Sequence, residues 1–113
     1  VFKTLVTVGK SGEHYVFVVP VAEELDLKKA ARSVGEKSVE MIHVKDITKI
    51  TGYVRGGCSP LGMKKLFLTV IDESAKNFAE IYVSGGRIGL TLKMNPQDLV
   101  GVTNAQLADI QAE

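Results

Sequence analysis

The stretch that most limits what this chain can become is "HYVFVVP", residues 14–20. Its apolar side chains run on without alternation, so neither face can be left to water. A segment this short, rich in Val and aromatic residues, reads as a strand covered on both faces. Pro20 closes it, because proline has no N–H to give to a ladder. Upstream, "VFKTLVTV" (1–8) has the β-branched composition of another strand, and "GKSGE" (9–13) has turn chemistry between the two. The first twenty residues are therefore expected to form an antiparallel hairpin inside a two-sided core. A chain of 113 residues, 45% of them hydrophobic, can supply that core within one domain.

The remaining chain mixes helical and extended patterns without a regular strand–helix–strand repeat. In "ELDLKKAARSVG", Leu27, Ala30, Ala31 and Val34 recur at helical spacing, and Gly35 suits the residue just past a helix end. "VEMIHV" (39–44) is ambiguous, and "VKDITKITG" (44–52) fits a short helix stopped by Gly52. "LFLTVI" (66–71) and "EIYVS" (80–84) read as strands, separated by a turn or short helix over "DESAKNFA" (72–79). "LTLKM" (90–94) returns across the turn "GGRIG" (85–89) as a hairpin partner. Asn95 as N-cap, Pro96 at the first helical position and Asp98 near the dipole end open a helix at "NPQDLVG". "NAQLADIQ" near the end reads as helix or short strand. About five strands and three or four helices in this order predict an α+β domain with a mixed or antiparallel sheet.

Net charge is only +1, but it is unevenly spread. Residues 47–71 hold Lys49, Arg55, Lys64 and Lys65 and no acid; residues 81–97 hold Arg87 and Lys93 and no acid. Both segments are glycine-rich. Such clusters suit contact with a phosphate backbone, and they also occur on ordinary solvated faces. No apolar run approaches the roughly 18 residues a membrane helix needs, and no signal-peptide pattern is present. The single cysteine, Cys58, excludes an intrachain disulfide and a cysteine-rich zinc site, and fits a reducing cytoplasm.

The densest chemistry lies in "GYVRGGCSPLGMKK" (52–65), which uses four of the eleven glycines, one of the three prolines and the cysteine. The spacing is not that of a nucleotide-binding P-loop. Its glycines let backbone approach a ligand, Pro60 holds the turn, and N–H groups so presented form an anion or oxyanion site. A tight connection between packed elements would use the same residues. Cys58 has Arg55 nearby to favour a thiolate, but nucleophilic catalysis also needs a base. Neither His14 nor His43 is paired with it by local sequence, so a small side chain under a tight loop is the simpler account. Ser84 leaves a strand into two glycines in "YVSGG", and Lys3 sits among apolar residues of the first strand. On a cleft face Lys3 would bind a phosphate or carboxylate; on the surface it would only be solvated. No metal-ligand spacing is present, and no cofactor is expected.

Taken in order, "VFKTLV", "PVAEELDLKKAARSVG", "GYVRGGCSPLGMKK", "TVID" and "IYVSGGRIGL" resemble the YbaK/EbsC proteins. These are free-standing Cys-tRNA(Pro) deacylases, related to the editing domain inserted in bacterial prolyl-tRNA synthetases. The resemblance covers almost the whole chain, and "GYxxGGxSPLGxKK" is its most specific block. It implies a compact α+β domain with a curled mixed sheet, flanking helices and a substrate cleft. Residues 1–113 would then be one editing domain lacking the family's N-terminal segment, which carries a helix, a strand and a tyrosine near the pocket. The implied activity is trans-editing: removal of cysteine from mischarged Cys-tRNA(Pro), in the cytoplasm, without cofactor or membrane. The implied partners are tRNA(Pro) charged with a non-cognate amino acid and, as a candidate, prolyl-tRNA synthetase.

By position, the resemblance assigns Lys3 and Gly56 to catalysis. It assigns substrate contacts to Thr4, Gly57, Cys58, Ser59, Pro60, Ser84, Gly85 and Thr91. Arg55, Lys64, Lys65 and Arg87 become candidates for tRNA phosphates. Many relatives have Asp after "GGxRGL"; Thr91 stands there in this chain, which removes a carboxylate from that position. In the family's chemistry the substrate's own thiol attacks its ester carbonyl, giving a cyclic thiolactone and free tRNA. The protein then has to fold the substrate into a near-attack geometry and stabilise the oxyanion. Relatives that remove alanine instead use water and the tRNA's terminal hydroxyl. An Ala-tRNA(Pro) deacylase and a non-catalytic tRNA- or synthetase-binding module are the alternative readings.

Overall fold

The expected hairpin organises the domain. The computed structural model describes residues 1–43, 46, 67–84 and 91–112, with Ser84 described by its backbone. Strands β1 (Phe2–Gly9) and β2 (His14–Pro20) pair antiparallel from Phe2↔Pro20 to Val8↔His14. Tyr15 to Val19 of β2 are all buried, as an unbroken apolar run requires. Alternate residues serve opposite cores. Tyr15, Phe17 and Val19 pack with Ala30 and Ala31 of helix α1 (Leu27–Ser33), Val39, Val70 and Ile110. Val18 packs with Phe2, Ile71, Ile81, Val83 and Leu99 on the other side.

Around the hairpin, β3 (Val39–Met41) pairs antiparallel with Thr7–Gly9, and β4 (Leu68–Asp72) lies parallel to β2. Strands β5 (Ile81–Ser84) and β6 (Thr91–Met94) form a separate antiparallel ladder. Strand β7 (Gln106–Ala108) adds parallel to β4, giving a mixed, open five-stranded sheet of order β3-β1-β2-β4-β7. The α+β expectation with a mixed sheet therefore holds, while the described strands number seven rather than five. The two extra strands are β3, from an ambiguous segment, and β7, from one that fitted helix or strand. Each is three residues long and is fixed by its partner rather than by its own pattern.

Helix ends follow local chemistry. The Asp26 side chain accepts from the Lys29 backbone N–H at 2.9 Å to open α1, and Gly35 takes the left-handed φ of 75° just past its end. Asn95 Oδ1 accepts from the Gln97 N–H at 2.8 Å, with Pro96 first in helix α2 (Pro96–Thr103). Asn104, at φ 54°, ends that helix in the left-handed conformation. The segment read as a turn or short helix forms a 3-10 helix, Glu73–Asn77. Apart from Asp46, the helix expected over 44–52 lies outside the described residues, as does the turn over 85–89.

The tip of the hairpin is tied to the end of α1 by Glu36. Its carboxylate accepts from the Ser11 hydroxyl, from Tyr15 OH at 2.6 Å and from the Ser11 N–H at 3.3 Å. The carboxylate fits because Gly9 lacks a side chain: a Cβ there would fall on the Glu36 carboxyl group. The Ser11 and Tyr15 hydroxyls hold Glu36 below its ordinary pKa of 4.5, and the Glu36 hydrogen bond raises that of Tyr15. A carboxylate whose folded pKa is depressed contributes stability above its unfolded pKa, and that contribution fades as pH falls through the folded value. The stability difference between wild type and Glu36→Gln, read by urea titration, should thus be constant from near-neutral pH down to about 5 and shrink at lower pH. A difference that grows on acidification would contradict the latch.

Candidate active site

Four of the sequence-assigned residues fall in described structure: Lys3, Thr4, Ser84 and Thr91. Gly56, Gly57, Cys58, Ser59, Pro60 and Gly85, and the basic Arg55, Lys64, Lys65 and Arg87, lie outside the described residues. The described part of the site is therefore built on β1 and on the β5–β6 ladder.

On β1, neighbouring residues point to opposite faces of the sheet. Lys3 stands opposite Val19 and shares its face with Leu5, on the side that α1 covers. Thr4 begins a row across the sheet, Thr4–Val18–Ile71–Leu107, on the side that carries the second core. The two adjacent residues thus serve different faces, as alternation along a strand requires. Beyond β2, no strand is hydrogen-bonded to Phe2–Leu5 among the described residues, because β3 pairs only with Thr7–Gly9. Lys3 is half-buried there. The Thr4 hydroxyl is buried and has no hydrogen-bond partner among the described residues. A buried hydroxyl left unmet carries a desolvation cost that a polar ligand group would relieve.

The β5–β6 ladder comes close to β1. Phe2, Ile81 and Val83 share a core, and the Phe2 ring meets Phe78 edge-to-face with centroids 6.2 Å apart. This packing sets the strand carrying Lys3 and Thr4 beside the strand carrying Ser84. Ser84 and Thr91 form the last pair of the ladder, and Thr91 is exposed. Thr91 places a neutral hydroxyl at this end of the ladder.

Grooves elsewhere do not collect these residues. One of about 330 Å³ lies between α1 and the chain after β7, lined by Lys29, Arg32, Ser33, Ala108 and Asp109. Another of about 230 Å³ borders the 3-10 helix, with Asp72, Ser74 and Gln111 among its walls. Neither is lined by Lys3, Thr4, Ser84 or Thr91, so the β1–β5 region remains the better candidate. Of the two histidines, His14 packs against the Phe67 ring at 5.7 Å and His43 is exposed. Among the described residues, no group of three or more His, Cys, Asp or Glu is placed to hold a metal ion. No helix among them is long and apolar enough to cross a membrane. One exposed residue escaped attention in sequence. Tyr82 lies between buried Ile81 and Val83, and period-two alternation alone would have marked it as facing outward.

Residues 1–102 match the aminoacyl-tRNA editing domain. The chain is 49% identical over 110 residues to EbsC of Enterococcus faecalis (strain ATCC 700802 / V583), provisionally named a Cys-tRNA(Pro)/Cys-tRNA(Cys) deacylase. That match covers 97% of this chain and 67% of EbsC. A crystal structure described as a provisional trans-editing enzyme for prolyl-tRNA synthetase superposes with a TM-score of 0.89 at 32% identity, covering 99% of this chain and 70% of that one. A scaffold structure used for epitope backbone grafting superposes at 0.91 with 30% identity, over 99% and 71% of the two chains.

Proposed function

From the premise that this chain belongs to the aminoacyl-tRNA editing domain family, we propose that it is a trans-editing deacylase that cleaves the ester of mischarged Cys-tRNA(Pro). The observation that carries this reading is the 49% identity to EbsC over nearly the whole chain. Its tRNA substrate places its work in the cytoplasm, with tRNA(Pro) as partner and prolyl-tRNA synthetase as the enzyme whose errors it corrects.

The chemistry asks little of the protein in acid–base terms. The substrate thiol attacks its own ester carbonyl, the ribose oxygen leaves and takes up a proton, and a thiolactone and free tRNA result. What the site must supply is a folded substrate and a stabilised oxyanion. For the second task the Lys3 ammonium has to reach past the edge of Phe2–Leu5, which has no strand partner on that side among the described residues, because Lys3 and Thr4 serve opposite faces. The Thr4 hydroxyl, which has no partner among the described residues, and the strand end where Ser84 pairs with Thr91 suit contact with the aminoacyl end. Backbone N–H groups of Gly56–Ser59 are assigned the rest of the oxyanion contact, and Gly57, Cys58, Pro60 and Gly85 the walls of the pocket. Arg55, Lys64, Lys65 and Arg87 are assigned to tRNA phosphates.

The test is a deacylation panel on Cys-, Ala- and Pro-tRNA(Pro). Cysteine should be released well above the buffer rate and faster than alanine or proline. Faster alanine release would move the substrate to Ala-tRNA(Pro). Release at the buffer rate for all three, with tRNA binding that weakens steeply with salt, would make the protein a binding module instead. Size alone separates such small side chains by only about 1–3 kcal/mol, so the panel has to include all three.

A further inference from the structure

The outer face of the β5–β6 ladder carries two exposed residues, Tyr82 and Lys93. Ile81 and Val83 are buried in the core, so Tyr82 projects the other way and is 43% exposed. The register sets Lys93 opposite Tyr82 and Thr91 opposite Ser84. Lys93 meets Glu80 at 3.8 Å, with both side chains about half exposed. An exposed pair at this distance holds its lysine weakly, so Lys93 can turn to another anion. From Ile81 to Gln97 the sequence has no acid. Two residues along a strand separate the Tyr82–Lys93 pair from the Ser84–Thr91 pair by about 7 Å.

This inference rests on the deacylase reading, in which the ester sits on the terminal ribose of an unpaired RNA end. We propose that Tyr82 is a stacking platform for an unpaired base of that end, with Lys93 beside it for the adjoining phosphate. Tyrosine offers a rigid π-face held on a strand, and every base can stack on it without sequence readout. A base on Tyr82 lies within one nucleotide's reach of an ester at the Ser84–Thr91 end. Folding alone asks for no aromatic ring at this solvent-facing position.

The experiment compares binding of two uncharged RNAs: tRNA(Pro) with its unpaired 3′ end, and the same tRNA trimmed of those nucleotides. Tyr82→Ala should lose about 5- to 150-fold in affinity for the intact RNA and nothing for the trimmed one. Tyr82→Phe should bind like wild type, because the ring and not the hydroxyl carries the contact. Lys93→Ala should weaken binding of the intact RNA and flatten its salt dependence. Equal loss on both RNAs, no loss in a normally folded Tyr82→Ala protein, or failure of Tyr82→Phe to restore binding would overturn the platform. If wild type deacylates no aminoacyl-tRNA, the functional reading itself fails. If it does, and Tyr82→Ala matches it in intact-RNA affinity and kcat/KM, only the platform fails.

Discussion

Lys3→Ala is expected to slow deacylation of Cys-tRNA(Pro) by about 10²–10³-fold, the usual effect of removing one oxyanion-stabilising donor. The loss should fall mainly on kcat, because a charge that meets the developing oxyanion matters more in the transition state than in the bound substrate. Stability should change little. Lys3 is only half-buried and stands in the part of β1 with one described strand neighbour, so among the described residues truncation leaves no buried charge unpaired. Lys3→Met is the sharper variant: it keeps an apolar stem and removes only the ammonium. Equal kcat in wild type and Lys3→Met would remove Lys3 from the chemistry. Cys58→Ala serves as the contrast. If the attacking thiol belongs to the substrate, that variant keeps wild-type kcat.

The largest effect on stability is expected at Asp72. This residue is 2% exposed, and its carboxylate is used twice. Oδ2 accepts from the Ser74 N–H and opens the 3-10 helix; Oδ1 accepts from the Ile110 N–H, both at 3.1 Å. One side chain thus ties the end of β4 to the next element and to the segment that follows β7. Asp72→Ala removes two hydrogen bonds to a charged acceptor and strands two N–H groups, a loss of about 3–5 kcal/mol. For a domain of this size that corresponds to a fall in Tm of roughly 15 °C or more. Asp72→Asn keeps one acceptor oxygen and should lose about half as much. A Tm within a few degrees of wild type for Asp72→Ala would show that the C-terminal segment is held by its packing alone.

Much of this was legible in sequence because it depends on local rules. An unbroken apolar run needs cover on both faces, and β2 received it from α1 on one side and from the β5–β6 ladder and α2 on the other. Asn95 and Pro96 opened a helix because their chemistry suits a helix start wherever it occurs. Gly35 ended one because only a residue without Cβ takes φ 75° without strain. The motif string pointed to the family directly, since its spacing is carried by residues 52–65 and 81–90.

What lay beyond the sequence was whatever depends on a distant partner. Three residues of β3 and three of β7 are too few to show a period; Val39–Met41 are a strand because Thr7–Gly9 are beside them, and Gln106–Ala108 because Val70–Asp72 are. The parallel pairing of β2 with β4 follows a crossover that no local pattern encodes. At the site, sequence alone determined that Lys3 and Thr4 are adjacent on a strand and that Ser84 leaves one. Tertiary structure decided that the Lys3 face meets α1 and the Thr4 face the second core, that the Thr4 hydroxyl is buried without a described partner, and that β5 lies next to β1. The reason is geometric: a strand fixes which residues share a face, but only the layers packed on it decide which face is covered and which is left for a substrate.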